Sequence, residues 1–162
     1  MKQIMGIGLI LFFSSFFRTP VNNERNLENA QKLFRAVYGG HPELIEGLIS
    51  DDFVSTYPIF EEIMNQKAIH GKEAYVKFAS GYSQRWKDAK ITIHETVAEN
   101  DKVVLIWSYS AYLSTGNDQS GQDSGQLKSW GGITLFKFNR SGKITAEIGE
   151  ESTPGPMGRL GY

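Results

Sequence analysis

The side chains in this sequence able to do chemistry are carboxylates and aromatic hydroxyls. There is no cysteine, so thiolate nucleophiles, disulfides, iron–sulfur clusters and cysteine-rich zinc sites are excluded. The three histidines, His41, His70 and His94, lack a second ligand at metal-binding spacing. His94-Glu95 is an adjacent pair whose side chains leave a strand on opposite faces, and neither a metal nor another cofactor is expected. No glycine-rich phosphate loop, serine nucleophile elbow or dinucleotide fingerprint occurs. A carboxylate remains, and a carboxylate held in an apolar cavity can move a proton. Ile144, Ala146, Ile148, Glu150 and Ser152 alternate along one strand, so parity places Glu150 on the apolar face and makes it the catalytic candidate. Glu147 and Glu151 fall on the opposite face by the same count. Tyr57, Trp107, Tyr109 and Trp130 are the candidate ligand-binding residues, since aromatic walls stack on flat ligands while Tyr and Trp each offer a hydrogen bond.

Elements that would position these groups can be read from periodicity. Asn26 is a plausible N-cap, and Leu27, Ala30, Leu33, Phe34 and Val37 recur at helical spacing before Gly39-Gly40 stops the helix. A second short helix is expected after Pro42, with Leu44, Ile45, Leu48 and Ile49 on one face. Phe53 to Tyr57 reads as a short strand ended by Pro58, and 59–70 as a loop or irregular lid. A third helix is expected from Gly71 to Trp86, burying Ala74, Tyr75, Phe78, Ala79 and Tyr82, with Trp86 capping the core. Strands follow at Ile91–Ala98, Val103–Leu113, Leu127–Phe138 and Lys143–Glu151. Ser114 to Gly125 is polar and reads as a disordered loop; Asn139 to Gly142 is a hairpin turn that also matches a glycosylation sequon. Gly131-Gly132 inside a strand marks an expected bulge or bend. The fold class is therefore α+β: three N-terminal helices packed on a strongly curved antiparallel sheet that encloses a pocket.

The whole chain narrows the setting. At 162 residues it is long enough for one domain with a proper core. Net charge is −1, from 17 basic and 18 acidic residues without a basic patch, so no nucleic-acid partner is expected. Lys2 precedes an apolar run from Ile4 to Phe17, closed by Arg18. That run is shorter than the ~18 residues a membrane span needs. Residues 1–22 therefore read as a signal peptide or retained N-terminal anchor, which implies export, and residues 23–162 as the domain.

Several motifs resemble one family. Ile69-His70-Gly71-Lys72-Glu73-Ala74-Tyr75 is similar to the opening of the long helix in SnoaL-like polyketide cyclases, also described as predicted ester cyclases, of the nuclear-transport-factor-2-like superfamily. Lys87 to Ile91, Asn100 to Val104 with Trp107, Trp130 to Ile133, Phe136 to Phe138, Gly142 to Ile144 and Arg159 to Gly161 resemble further family segments, in order and with compatible spacing. The resemblance implies a nuclear-transport-factor-2-like cone, a fold that hosts cyclases, isomerases, hydrolases and non-catalytic proteins. It also implies a polar site residue before the lid, where Thr56 stands in place of the family's histidine, and one ending the last strand, where Ser152 replaces an aspartate. Thr56 accordingly joins the ligand-binding candidates.

Three readings follow. The first is a pocket protein for a small, mostly apolar organic molecule. The second is an acid–base isomerase, cyclase or hydratase, with Glu150 moving the proton and Tyr57 donating to a developing oxyanion. The third is a homodimeric interaction module, paired through the sheet face of Trp130, Thr134, Phe136 and Phe138 or through its opposite.

Overall fold

The computed structural model describes residues 23–114 and 125–161; the expected leader and most of the expected disordered loop lie outside these residues. Four α-helices pack on a six-stranded sheet. Helix α1 (Asn23–Tyr38) is followed by one 3-10 turn (Pro42–Leu44), strand β1 (Ile49–Thr56), helix α2 (Pro58–Met64), strand β2 (Ile69–His70) and helix α3 (Lys72–Arg85). Strands β3 (Trp86–Glu99), β4 (Lys102–Leu113), β5 (Leu127–Phe138) and β6 (Ile144–Ser152) form a meander, closed by the short helix α4 (Pro156–Arg159). The sheet order is β2-β1-β6-β5-β4-β3, antiparallel except for the β1–β6 pair.

The apolar stripe of α1 is buried as the periodicity demands: Ala30, Leu33, Phe34 and Val37 all lie in the core. Asn26 is not the cap. It sits one turn inside α1, buried, and its Nδ2 donates to the Asn100 carbonyl in the turn between β3 and β4. The helix expected after Pro42 shrinks to a single 3-10 turn, with Leu44 exposed. In α3 the buried residues are Tyr75 and Ala79, and Ala74 faces water.

Residues 58–64, expected to be a loop, form α2. Pro58 occupies the first helical turn, where its missing N–H costs nothing, and Asn65 ends the helix in the left-handed conformation at φ 52°. Ile59, Phe60, Ile63 and Met64 have the spacing of one helical face.

The register of the last hairpin decides the site. Phe138 pairs with Ile144, but Lys137 pairs with Ala146, so Thr145 is an extra residue in β6. This β-bulge reverses the side-chain parity that follows it. Ile144 points inward, yet beyond the bulge it is Glu147, Gly149 and Glu151 that share the concave side, opposite Phe136, Thr134 and Gly132. Ile148 is 40% exposed, and Glu150 is exposed on the convex side.

Gly131-Gly132 is not a bulge, because β5 keeps continuous register with both β4 and β6 there. Gly132 instead leaves room for a ring: a Cβ added to it would lie 2.7 Å from Cζ2 of Trp107. Gly149 does the same for Tyr57, whose ring lies where a β-carbon would be. Two aromatic side chains are thereby laid across neighbouring strands of the concave face.

Candidate functional site

A cavity of about 470 Å³ opens between the helices and the concave face of the sheet. Helix α2 contributes Ile59, Phe60 and Ile63, α3 contributes Tyr75, Phe78 and Tyr82, and the sheet contributes Trp86, Trp130, Glu147 and Glu151. It is an aromatic-walled container; Glu147 and Glu151 face it from the sheet, and Glu62 of α2 and Arg85 of α3 also line it.

Glu147 lies at the floor, 1% exposed. Its Oε2 accepts from Ser55 Oγ at 2.8 Å and from the Tyr75 hydroxyl at 2.5 Å, and its Oε1 accepts from the Tyr57 hydroxyl at 3.2 Å. The Tyr57 oxygen also lies 2.9 Å from Thr134 Oγ1, which accepts from Trp107 Nε1 at 2.9 Å. Tyr57 has a single proton. With that proton given to Glu147, the Thr134 hydroxyl donates to Tyr57 and the chain from Trp107 to Glu147 is ordered in one direction. Burial raises the carboxyl pKa, while the hydrogen bonds from Tyr75, Ser55 and Tyr57 oppose that rise. Burial foremost, and then the charge of Glu147, push Tyr57 and Tyr75 well above the usual phenol range, so both remain donors. A carboxyl satisfied by three hydroxyls is an anchor that fixes the floor of the cavity.

Glu151 is placed differently. It lines the cavity four residues further along β6, and burial pushes its carboxyl up to about 7; a hydrogen bond from Trp130 pulls the other way and the charge of Glu147 adds to the rise. A carboxyl with that pKa takes and returns a proton near neutral pH.

Of the residues singled out from the sequence, Tyr57 and Trp130 line the cavity. Trp107 and Tyr109 do not reach it: both are almost fully buried beneath it, Trp107 against Phe34 and Tyr38, and Tyr109 against Trp130. Thr56 pairs with Ile148 and turns away, leaving its neighbour Ser55 to face the floor. Glu150 also turns away, so the strand-parity assignment is corrected to Glu147 and Glu151. The bulge at Thr145 is the physical cause, and an apolar series that continued through it, Ile144-Ala146-Ile148, hid it from the sequence. Trp86, expected to cap the core, is a wall of the cavity. His94 lies at a register shift in β3, with its Nε2 2.8 Å from Ser108 Oγ. Among the described residues no group of three or more His, Asp or Glu could hold a metal ion.

Comparison with known proteins places this geometry in a family. The SnoaL-like domain matches residues 30–147. No curated protein matches the chain significantly. Among solved structures, a SnoaL-like polyketide cyclase candidate from Jannaschia sp. CCS1 is 19% identical, with a TM-score of 0.66 over 84% of this chain and 90% of that one. IdmH, a polyketide cyclase candidate from Streptomyces antibioticus, is 15% identical, with a TM-score of 0.65 over 85% of this chain and 99% of that one. The Δ5-3-ketosteroid isomerase from Mycobacterium sp. is 19% identical, with a TM-score of 0.62 over 77% and 91%. At these identities the likeness is one of fold, the nuclear-transport-factor-2-like cone.

Proposed function

We propose, for a chain that belongs to the SnoaL-like domain family, that its cavity binds a small, mostly apolar organic molecule on which Glu151 moves a proton. The observation that carries this reading is the Glu151 carboxyl, aimed into an aromatic cavity with its pKa raised to about 7. Glu147 is the less suited of the two acids, since three hydroxyls already occupy it. The chemistry is proton transfer of the isomerase or cyclase kind, with the aromatic walls excluding water and fixing the ligand. The test is a thermal-shift and native mass spectrometry screen against ring-containing apolar acids, lactones and ketones. A ligand at 100 times its dissociation constant adds about 2.7 kcal/mol of stability. Conversion of a bound compound should fall roughly 10²- to 10⁴-fold in Glu151→Gln and stay unchanged in Glu150→Gln. Compounds that bind and are never converted would leave a binding protein and remove the proton-transfer assignment.

A second reading concerns the convex face, where Ile133 and Ile148 are exposed on the neighbouring strands β5 and β6 and Val97 is exposed on β3. It supports a homodimer paired sheet to sheet. Export remains a proposal from the N-terminal sequence, and mass analysis of the secreted and cell-associated protein tests whether residues 1–22 are removed.

A further inference from the structure

The charges lining the cavity are unevenly signed. Glu147 and Glu151 face it from β6 and Glu62 from α2, while Arg85 is the one basic side chain among the described lining residues. Arg85 is exposed and lies over the Trp86 ring, 5.7 Å from its centroid. Neither Glu147 nor Glu151 has an ion-pair partner among the described residues. Glu147 is occupied by three hydroxyls, whereas a bond from Trp130 is what offsets the burial of Glu151. Around these acids the rings run in an unbroken belt. Neighbouring centroids are 5.4 Å apart for Tyr57–Phe60, 5.2 Å for Phe60–Phe78, 6.1 Å for Phe78–Tyr82, 6.2 Å for Tyr82–Trp86 and 5.0 Å for Trp86–Trp130. All six of these side chains line the cavity. The negative face of an aromatic ring attracts a cation, and so does a buried carboxyl that lacks a counter-charge.

We infer that this cavity takes an organic cation, a ring-bearing tertiary or quaternary ammonium compound whose positive centre sits beside Glu151 and the Trp86 and Trp130 rings. The inference rests on the cavity being the ligand site proposed above. Trp130 joins the two attractions, because it bonds Glu151 and packs on Trp86. A metal ion does not fit: among the described residues no three His, Asp or Glu converge, and the Glu147 oxygens are already taken. An anion would meet three acids. A neutral hydrocarbon would fill the belt of rings and leave Glu151 uncompensated. A positive guest favours the ionised carboxylate, so it should draw Glu151 down from about 7 toward its ordinary 4.5. Affinity for the cation is then complete above the higher value and is lost as the pH falls toward the lower one. Glu147, also raised by burial, acts in the same direction. Of the other groups around the cavity, Glu62 and Arg85 are exposed, and burial keeps the phenols of Tyr38, Tyr57, Tyr75 and Tyr82 neutral.

The experiment compares three probes of nearly one shape: benzyltrimethylammonium, its uncharged carbon isostere neopentylbenzene, and the anion phenylmethanesulfonate. Each is titrated calorimetrically into the wild type, Glu151→Gln and Glu150→Gln at pH 8.5 and 5.5. At pH 8.5 the wild type should prefer the cation over neopentylbenzene by on the order of tenfold. Cation affinity should fall on the order of tenfold at pH 5.5, while that of neopentylbenzene stays level. Glu151→Gln should lose most of the preference and of its pH dependence, and keep its affinity for neopentylbenzene. Glu150→Gln removes the same charge from the convex side of the same strand and should behave as the wild type. Equal affinity for cation and isostere, tighter binding of the sulfonate, a preference indifferent to pH, or equal losses in the two variants would each overturn the cation site while leaving the apolar pocket standing. If none of the three probes binds, the pocket reading itself falls, and the cation site with it.

Discussion

Removing the charge of Glu151 should make the protein more stable in alkaline solution and leave it unchanged in acid. Its carboxyl moves from an ordinary value of 4.5 to about 7 on folding. The folded state therefore binds more protons than the unfolded state between those two values. Stability contributed by the neutral acid is complete below pH 4.5 and is lost as the pH rises to about 7. One pKa unit corresponds to about 1.4 kcal/mol, so the loss is at most about 3 kcal/mol; part of the Glu151 side chain remains in water, which makes this an upper limit. Glu151→Gln keeps the shape and an acceptor for Trp130 but cannot ionise. At pH 5 the variant should lead by under about 1 kcal/mol, because the carboxyl of the unfolded wild type has already begun to ionise. At pH 8.5 the variant should be the more stable by up to that ~3 kcal/mol, or roughly 5–10 °C for a domain of this size. Glu147 titrates in the same direction, so a smaller downward slope should persist in the variant. Urea denaturation at half-unit steps from pH 5 to 8.5 reads the difference curve directly. Parallel curves, differing by less than about 0.5 kcal/mol throughout, would refute the raised carboxyl. The proton-transfer assignment of Glu151 would fall with it.

The other expectations concern the floor and the outer face. Tyr75→Phe removes the shortest bond to Glu147 and should cost about 1.5–3 kcal/mol in urea denaturation at pH 7, whereas Ser83→Ala, a change on the same helix away from Glu147, should be nearly silent. Gly149→Ala puts a methyl where the Tyr57 ring lies, so it should destabilise by about 1–3 kcal/mol and loosen ligand binding; wild-type stability would disprove the close packing. The full chain of 18.2 kDa should scatter light as a dimer at micromolar concentration, and Ile148→Lys should halve that mass. A monomer in the wild type would dismiss the sheet-to-sheet pairing.

Much of the container was legible before any coordinates, because it depends on short-range chemistry. The apolar stripe of α1 repeats at Ala30, Leu33, Phe34 and Val37, and only a helix gathers those positions on one side. The alternation in β4 places Val103, Leu105, Trp107, Tyr109 and Ala111 in the core, and only a strand does that. Family motifs spread along the chain supplied the cone. Helix α2 was legible in principle from Pro58 and the spacing of Ile59, Phe60 and Ile63, but Pro58 also reads as the end of the preceding strand.

The site was not legible, and one residue explains most of the difference. Strand parity is a count, and every assignment beyond an undetected insertion is inverted. Thr145 is that insertion: its place outside the β5 ladder depends on how the hairpin closes and on β1 lying parallel to β6, neither of which has a local signature. Glu150 was thereby exchanged for Glu147 and Glu151. The pKa of Glu151 and the saturation of Glu147 are likewise tertiary. They arise because Ser55, Tyr57 and Tyr75, drawn from three separate segments, converge on a single carboxyl in a space that water barely enters. Composition and periodicity determined that this chain would build an aromatic-lined pocket; which acids face into it was decided only when the strands came into register.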